Sequence, residues 1–253
     1  MTQPQLTGQL AVVTGGSRGI GRAIVRRIAA AGAEVVLTYR ADEVAAKQVV
    51  AEVAAHGGRA HAVQCDFGVR GAEAGLFAAV DEHLAATGAA GVDILVNNAG
   101  IAMSKPLAEV TEDDYDTVMT VNAKAVFFTL QQALTRLNDN ARVVSISSIS
   151  TSWATGGEAV YAASKSAVEQ FSRAASRELG KRGIAVNTVA PGVTDTDMVR
   201  GSISDDMLQD AAYMTSMGRL GLPDDIAGAV LLLVSPLAGW LTGQHLRADG
   251  GLM

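Results

Sequence analysis

Several things are scarce in this chain of 253 residues, and each scarcity excludes something. There is one cysteine, Cys65, so no internal disulfide can form, which fits a reducing cytosol. Aromatic residues make up 4%, so close backbone packing must do more of the core's work than large rings. No block of like charge occurs, and the net charge is −6, which argues against nucleic acid or an anionic membrane as a partner. The longest apolar run, around Ile226–Val234, stops at Ser235-Pro236 and is too short to span a bilayer; it reads as a buried helix. The opening MTQPQLTGQL has no basic segment followed by an apolar one, so no signal peptide is expected. The expectation is a cytoplasmic globular protein whose hydrophobic content, 49%, can build a full core.

What is present is a rhythm. Apolar, β-type runs at Leu10–Thr14, Glu34–Tyr39, Arg59–Gln64, Asp93–Asn97, Arg142–Ile146, Ile184–Val189 and His245–Ala248 alternate with longer helical patterns. Mostly continuous apolar runs suit parallel strands buried on both faces, and the spacers suit right-handed crossovers. The predicted fold is α/β, a doubly wound parallel sheet of Rossmann type in a single domain over residues 1–253. One stretch breaks the rhythm. From about 191 to 222 no strand is visible, but Met198, Met207, Tyr213, Met214 and Met217 are, and a helical substrate lid is expected there.

AVVTGGSRGIGRAI reads as strand, glycine turn and helix. Gly15, Gly19 and Gly21 remove Cβ atoms where a phosphate must approach backbone, and the helix then aims its free N–H groups at the anion. The spacing is not G-x-G-x-x-G, but its place in the first strand–helix unit favours a dinucleotide. The second strand ends Leu37-Thr38-Tyr39-Arg40, with no carboxylate until Asp42. An acid there would bind the ribose hydroxyls of NAD; Arg40 and Arg18 instead suit a 2′-phosphate, so NADP(H) is the expected cofactor.

Polar residues mark other strand ends: Asn97-Asn98, Ser147-Ser148 and Pro191-Gly192. Each alone is compatible with turn chemistry, but a doubly wound sheet gathers such ends into one crevice. Beyond Ser148 lies AVYAASKSAV, where Tyr161 and Lys165 share one helical face, one turn apart. Alone, that pair is compatible with a phenol packed on a lysine stem. A free phenol titrates near 10; a neighbouring ammonium and a cationic nicotinamide ring favour its ionised form.

With Thr14–Gly21, Asn97-Asn98-Ala99-Gly100, Ser148, Tyr161-x-x-x-Lys165, Pro191-Gly192 and the tail LTGQHLRADGG in order, the chain resembles the short-chain dehydrogenase/reductase family, of the 3-oxoacyl-[acyl-carrier-protein] reductase type. The resemblance implies Tyr161 as general acid/base, Ser148 holding the substrate oxygen, Lys165 on the nicotinamide ribose and Asn122 holding a relay water. It also implies cofactor contacts from Gly15, Gly16, Ser17, Arg18, Gly19, Ile20, Gly21, Tyr39, Arg40, Asn98, Ala99 and Gly100. Asp66 and Phe67 are implied beside the adenine, and Pro191, Gly192, Val193, Thr194 and Thr196 towards the carboxamide. Val69 departs from the pattern, where the family often has Asp.

The implied activity is NADPH-dependent reduction of a ketone or 3-oxoacyl carbonyl on a small-molecule substrate. Trp153, Met198, Tyr213 and Met214 offer an apolar wall, and Arg136, Arg173 and Arg177 either dock an acidic carrier or are simply solvated. An alcohol or sugar dehydrogenase of the same family and a non-catalytic cofactor sensor are the alternatives. Histidines 56, 61, 83 and 245 show no ligand-like spacing, so no catalytic metal is expected. A homotetramer is expected from the family and the apolar C-terminal segment.

Overall fold

The computed structural model describes residues 6–201 and 204–252. The first five residues of the segment read for a signal peptide, and two residues of the expected lid, lie outside them.

Seven strands form one parallel sheet: β1 (Leu10–Val13), β2 (Glu34–Tyr39), β3 (Arg59–Gln64), β4 (Val92–Asn97), β5 (Leu137–Ile146), β6 (Ala185–Pro191) and β7 (His245–Ala248). Their spatial order is β3-β2-β1-β4-β5-β6-β7. The chain builds outward from β1 to β3, then returns to β4 on the other side of β1. That reversal opens a crevice at the carboxyl ends of β1 and β4.

Alternate residues of each strand enter opposite cores. Ala11, Val13, Val35 and Leu37 face a core completed by Ile24 and Ile28 of α1 (Gly19–Ala30), Ala46 and Val49 of α2 (Glu43–Ala55), and, further along the chain, Ile226 and Val230. Leu10, Val12, Val36 and Leu95 face a second core with Leu76, Phe77 and Val80 of α3 (Ala72–Thr87). On that side the chain continues through α4 (Glu112–Met119), α5 (Ala125–Ala133) and α6 (Ala159–Leu179). Burial on both faces is why the strands read as unbroken apolar runs.

After β6 the chain makes the expected excursion through α7 (Asp197–Arg200) and α8 (Asp205–Tyr213). Its base is pinned: Gly221 N donates to Val193 O at 3.0 Å, and Asp195 N to Gly221 O at 2.8 Å. Its far end is tied to the C-terminal tail by Met217 N to Gly250 O at 3.2 Å. The run at Ile226–Val234 belongs to α9 (Pro223–Val234), with Ile226, Ala227, Val230, Leu233 and Val234 buried. Among the described residues no helix is long and apolar enough to cross a membrane.

Two details differ from the sequence reading. β5 starts at Leu137 rather than Arg142, because Leu137 pairs with Val92 while Asn138 Nδ2 donates to Asp93 Oδ1 at 2.8 Å. TVNAK, helical by pattern, instead forms a π-turn at Thr120–Lys124 that carries Asn122 and separates α4 from α5.

Candidate active site

The glycine loop is shaped by backbone contacts that forbid side chains. Gly15 and Gly19 have φ of 65° and 53°, a region that L side chains rarely adopt. A Cβ on Gly21 would fall 2.1 Å from Gly15 O and 2.5 Å from Asn98 Nδ2. The loop is held from both sides: Gly15 N donates to Thr38 Oγ1 at 2.9 Å, and Asn98 Nδ2 donates to Thr14 O at 2.9 Å and Gly15 O at 3.0 Å. The Thr14 hydroxyl accepts from the backbone N–H groups of Asn98 and Ala99 at 2.9 and 3.0 Å. β1 and β4 are therefore locked together at the crevice.

The helix that follows is left open at its positive end. Arg18 occupies the N-cap of α1 without a side-chain cap bond, and the first turn has no acid. By contrast, Asp42 caps α2, and Thr111 with Asp114 forms a capping box on α4. An uncapped helix end facing a glycine cradle is an anion site. Arg18 and Arg40 are exposed beside it, and neither guanidinium has an ion-pair partner among the described residues. That combination fits a dinucleotide carrying an extra phosphate.

Several other expected residues join this crevice. Thr196 approaches the loop with its methyl, 3.5 Å from where a Gly19 Cβ would lie, while its hydroxyl caps α7 by accepting from Val199 N at 3.3 Å. Thr194 Oγ1 donates to Gly192 O at 2.9 Å, and Gly192 packs so closely on Asp249 that a Cβ would sit 2.8 Å from its Cα. Pro191 ends β6. Tyr39 ends β2, and its carbonyl accepts from Cys65 N at 2.8 Å, which places Asp66 and Phe67 beyond the neighbouring strand. Phe67 is buried and Asp66 is exposed, its Oδ1 accepting from Gly68 N at 2.9 Å.

Tyr161 and Lys165 enter from α6. The phenol of Tyr161 lies close enough to Ser148 for that side chain to act on it, and the Ser148 hydroxyl donates to Ser150 Oγ at 3.1 Å. Lys165 is buried, with Nζ 5.9 Å from the Tyr161 ring centroid and donating to Ile146 O at 3.0 Å. Burial pushes Lys165 down to about 8. Burial pushes the Tyr161 phenol above its ordinary value; the nearby Ser148 side chain acts downward and the Glu158 charge upward. The sequence reading had the lysine drawing the phenol down. In this structure desolvation is the stronger influence on both groups.

Asn122 lies on the π-turn, fully buried. Its Oδ1 accepts from Ile101 N at 2.8 Å, and its Nδ2 donates to Ile101 O at 2.9 Å and Ser164 Oγ at 3.1 Å. Its amide thus clamps the β4 loop to α6, next to Lys165. Gly100 lies between them: a Cβ there would be 3.2 Å from both Asn122 Oδ1 and Lys165 Nζ. Sequence reasoning missed Ser164 and Thr38, ordinary helix and strand residues by type, because only the fold turns them inward.

The docking arginines divide. Arg136 is committed elsewhere, with Nε and Nη2 on the Asp81 carboxylate at 2.7 and 2.6 Å and its guanidinium 5.3 Å from the Phe77 ring centroid. Arg173 and Arg177 are exposed. A cavity of about 320 Å³ lies elsewhere, between α1, α2 and α9, lined by Arg26, Arg27, Glu52 and His56 among others. Its Glu52 is already paired with Arg22, and it holds none of the hydroxyl groups above.

Comparison with known proteins follows this geometry closely. The family described as Enoyl-(Acyl carrier protein) reductase matches residues 15–253. A 3-oxoacyl-[acyl-carrier-protein] reductase of Synechocystis sp. is 36% identical over 254 residues, covering 98% of each chain. The chain belongs to the short-chain dehydrogenase/reductase family. A hydroxynaphthalene reductase-like protein of Metarhizium robertsii is 36% identical over 263 residues, covering 99% of this chain and 97% of its own. The solved structure of angucycline C-6 ketoreductase LanV with bound NADP superposes with a TM-score of 0.94 at 40% identity, covering 98% of this chain and 96% of the other. This short-chain dehydrogenase/reductase is an NADP-dependent enzyme acting on carbonyl and alcohol groups, and NADP(H) is its cofactor.

Proposed function

We propose that the enzyme reduces a ketone or 3-oxoacyl carbonyl to an alcohol, with Tyr161 donating the proton. The observation that carries this reading is the proximity of the Ser148 side chain to the Tyr161 phenol, one helical turn from a buried lysine. Two hydroxyl groups from different elements converge there, as a carbonyl oxygen requires. NADPH, when bound, supplies the hydride. Ser148 holds the substrate oxygen against the phenol, and Tyr161 gives its proton to that oxygen. Lys165 keeps positive charge beside the phenolate left behind and, with Tyr161, orients the nicotinamide ribose. Asn122 fixes the loop and helix that carry these groups.

The cofactor's phosphates fall to the glycine loop, from Gly15 through Gly16, Ser17, Arg18, Gly19 and Ile20 to Gly21, at the open end of α1. Arg18 and Arg40 take the 2′-phosphate, while Tyr39, Asp66 and Phe67 flank the adenine. Asn98, Ala99 and Gly100 support the middle of the cofactor, and Pro191, Gly192, Val193, Thr194 and Thr196 meet the carboxamide. Residues of the 191–222 excursion form a lid on a single-domain protein. Exposed Met198, Tyr213 and Met214, with Trp153 shortly after Ser148, give it an apolar inner wall for a small-molecule substrate.

Relatives named an angucycline C-6 ketoreductase, a hydroxynaphthalene reductase-like protein and a 3-oxoacyl-[acyl-carrier-protein] reductase support both substrate classes. We place the enzyme in the cytoplasm as a homotetramer, with neither nucleic acid nor membrane as partner. Trp240 and Leu237, 98% and 81% exposed, are the apolar C-terminal surface such assembly covers. The test is a panel of polycyclic aromatic ketones, simple ketones and 3-oxoacyl thioesters, followed by NADPH absorbance with NADH in parallel. Turnover of at least one class with NADPH preferred is expected; no turnover across the panel contradicts the reading.

A further inference from the structure

At the amino-terminal end of the sheet, opposite the cofactor crevice, three residues distant in sequence come together. Glu34 begins β2, His61 lies in β3, the edge strand, and His83 is on α3. The register pairs Glu34 with Arg59 and Val36 with His61, so Glu34 and His61 share the sheet face that α3 covers. His61 Nε2 lies 2.8 Å and His83 Nε2 3.2 Å from the same oxygen, Glu34 Oε1. The two imidazole rings are 4.6 Å apart, tilted by 53°.

His83 supplies the decisive detail. Its Nε2 is buried and makes no hydrogen bond, although Glu34 Oε1 is 3.2 Å away. The nitrogen is therefore near the carboxylate but not directed along a bond to it. A buried ring nitrogen without a partner is costly, and a cation shared with Glu34 and His61 resolves that cost. We propose that Glu34, His61 and His83 bind a divalent transition-metal ion of the zinc class, through Glu34 Oε1 and the two Nε2 atoms, with solvent as the fourth ligand.

The donor set and spacing suit that ion. Two imidazoles and a carboxylate are ordinary zinc ligands, and ligand atoms about 2.1 Å from a tetrahedral ion lie about 3.4 Å apart. Here the three atoms fall within 4.8 Å of one another. The second carboxylate oxygen is engaged by Arg59 Nε at 3.0 Å, which leaves Oε1 for the ion and fixes the carboxylate plane. The half-exposed side chain of His61 gives the ion a path from solvent. The ion would clip the edge of the sheet to α3 and take no part in carbonyl reduction.

The test is calorimetric titration of the full-length, chelator-treated protein with Zn²⁺ alone at pH 7.5, repeated with Co²⁺ by visible absorption. One saturable equivalent is expected. His61→Asn and His83→Asn should each weaken it by at least about tenfold, the loss that even an outer partner of a metal ligand produces. NADPH affinity should be unchanged in both variants, which shows that they fold. Binding should weaken on acidification, since metal and protons compete for the same ligand atoms. No saturable step in the wild type overturns the proposal. So does a step that survives both substitutions, or one abolished instead by His56→Asn or His245→Asn.

Discussion

The Nζ of Lys165 donates a 3.0 Å hydrogen bond to the carbonyl oxygen of Ile146, the last residue of β5. Ser147 and Ser148 follow directly, so the lysine is anchored to the strand end that presents Ser148 to Tyr161. One bond thus ties α6, which carries the phenol, to the segment that carries its hydroxyl partner. The bond also shows how a buried ammonium is tolerated, with one carbonyl acceptor holding its position.

That burial makes stability depend on alkaline pH. Lys165 is pushed from 10.5 down to about 8. Between those values the unfolded chain keeps the proton that the folded chain has released, so stability rises with pH through that window. Lys165→Met removes the effect. The wild-type stability measured against Lys165→Met should increase by roughly 3 kcal/mol from pH 7.5 to 10.5, at about 1.4 kcal/mol per unit. Urea unfolding of both proteins at several pH values checks this.

Gly21 leaves no room for a methyl group, which would stand 2.1 Å from Gly15 O. Gly21→Ala should displace the glycine loop, weaken NADPH binding at least about tenfold and cost about 1–3 kcal/mol of stability, the range for overpacking. Fluorescence titration with NADPH and a thermal melt measure the two effects separately.

On the proposed reading, Arg40 and Arg18 decide between cofactors by charge. Arg40→Asp should raise the NADPH dissociation constant by about 10–100-fold, as expected for loss of a charge-assisted bond of about 1.5–3 kcal/mol. NADH binding should be unchanged or improved. Parallel titrations with the two cofactors make the comparison.

Asn122 is a clamp whose loss strands its partners. Asn122→Ala leaves Ile101 N and Ile101 O without these bonds, removes the donor that Ser164 Oγ accepts from, and should cost about 2 kcal/mol or more. Carbonyl reduction should fall with it, because Ile101 adjoins Gly100 and hence Lys165. Urea unfolding and turnover together test the pairing.

The sheet was open to sequence reading because its central strands are buried on both sides: Ala11 and Val13 enter one core, Leu10 and Val12 the other. The glycine loop could be read for a similar reason, since positive φ and close approach restrict residue choice at Gly15 and Gly21. The start of β5 could not. Asn138 to Asn140 is polar, and the strand's start is set by pairing of Leu137 with Val92 and the Asn138–Asp93 bond. The π-turn was equally hidden, because TVNAK keeps a helical pattern and departs from it only where Asn122 reaches Ile101. His61 and His83 show nothing by spacing; strand register and the packing of α3 bring them to Glu34. The direction of the Tyr161 shift also needed the fold, since proximity to Lys165 can be read from spacing but burial cannot.

The most direct test of the account is single-turnover reduction of a ketone by Tyr161→Phe at saturating NADPH, with the cofactor's dissociation constant measured on the same preparation. Loss of a positioned general acid costs about 10²–10⁴-fold in rate. The account predicts a fall of that size with NADPH affinity within about threefold of wild type; an unchanged rate in the Phe variant would contradict it.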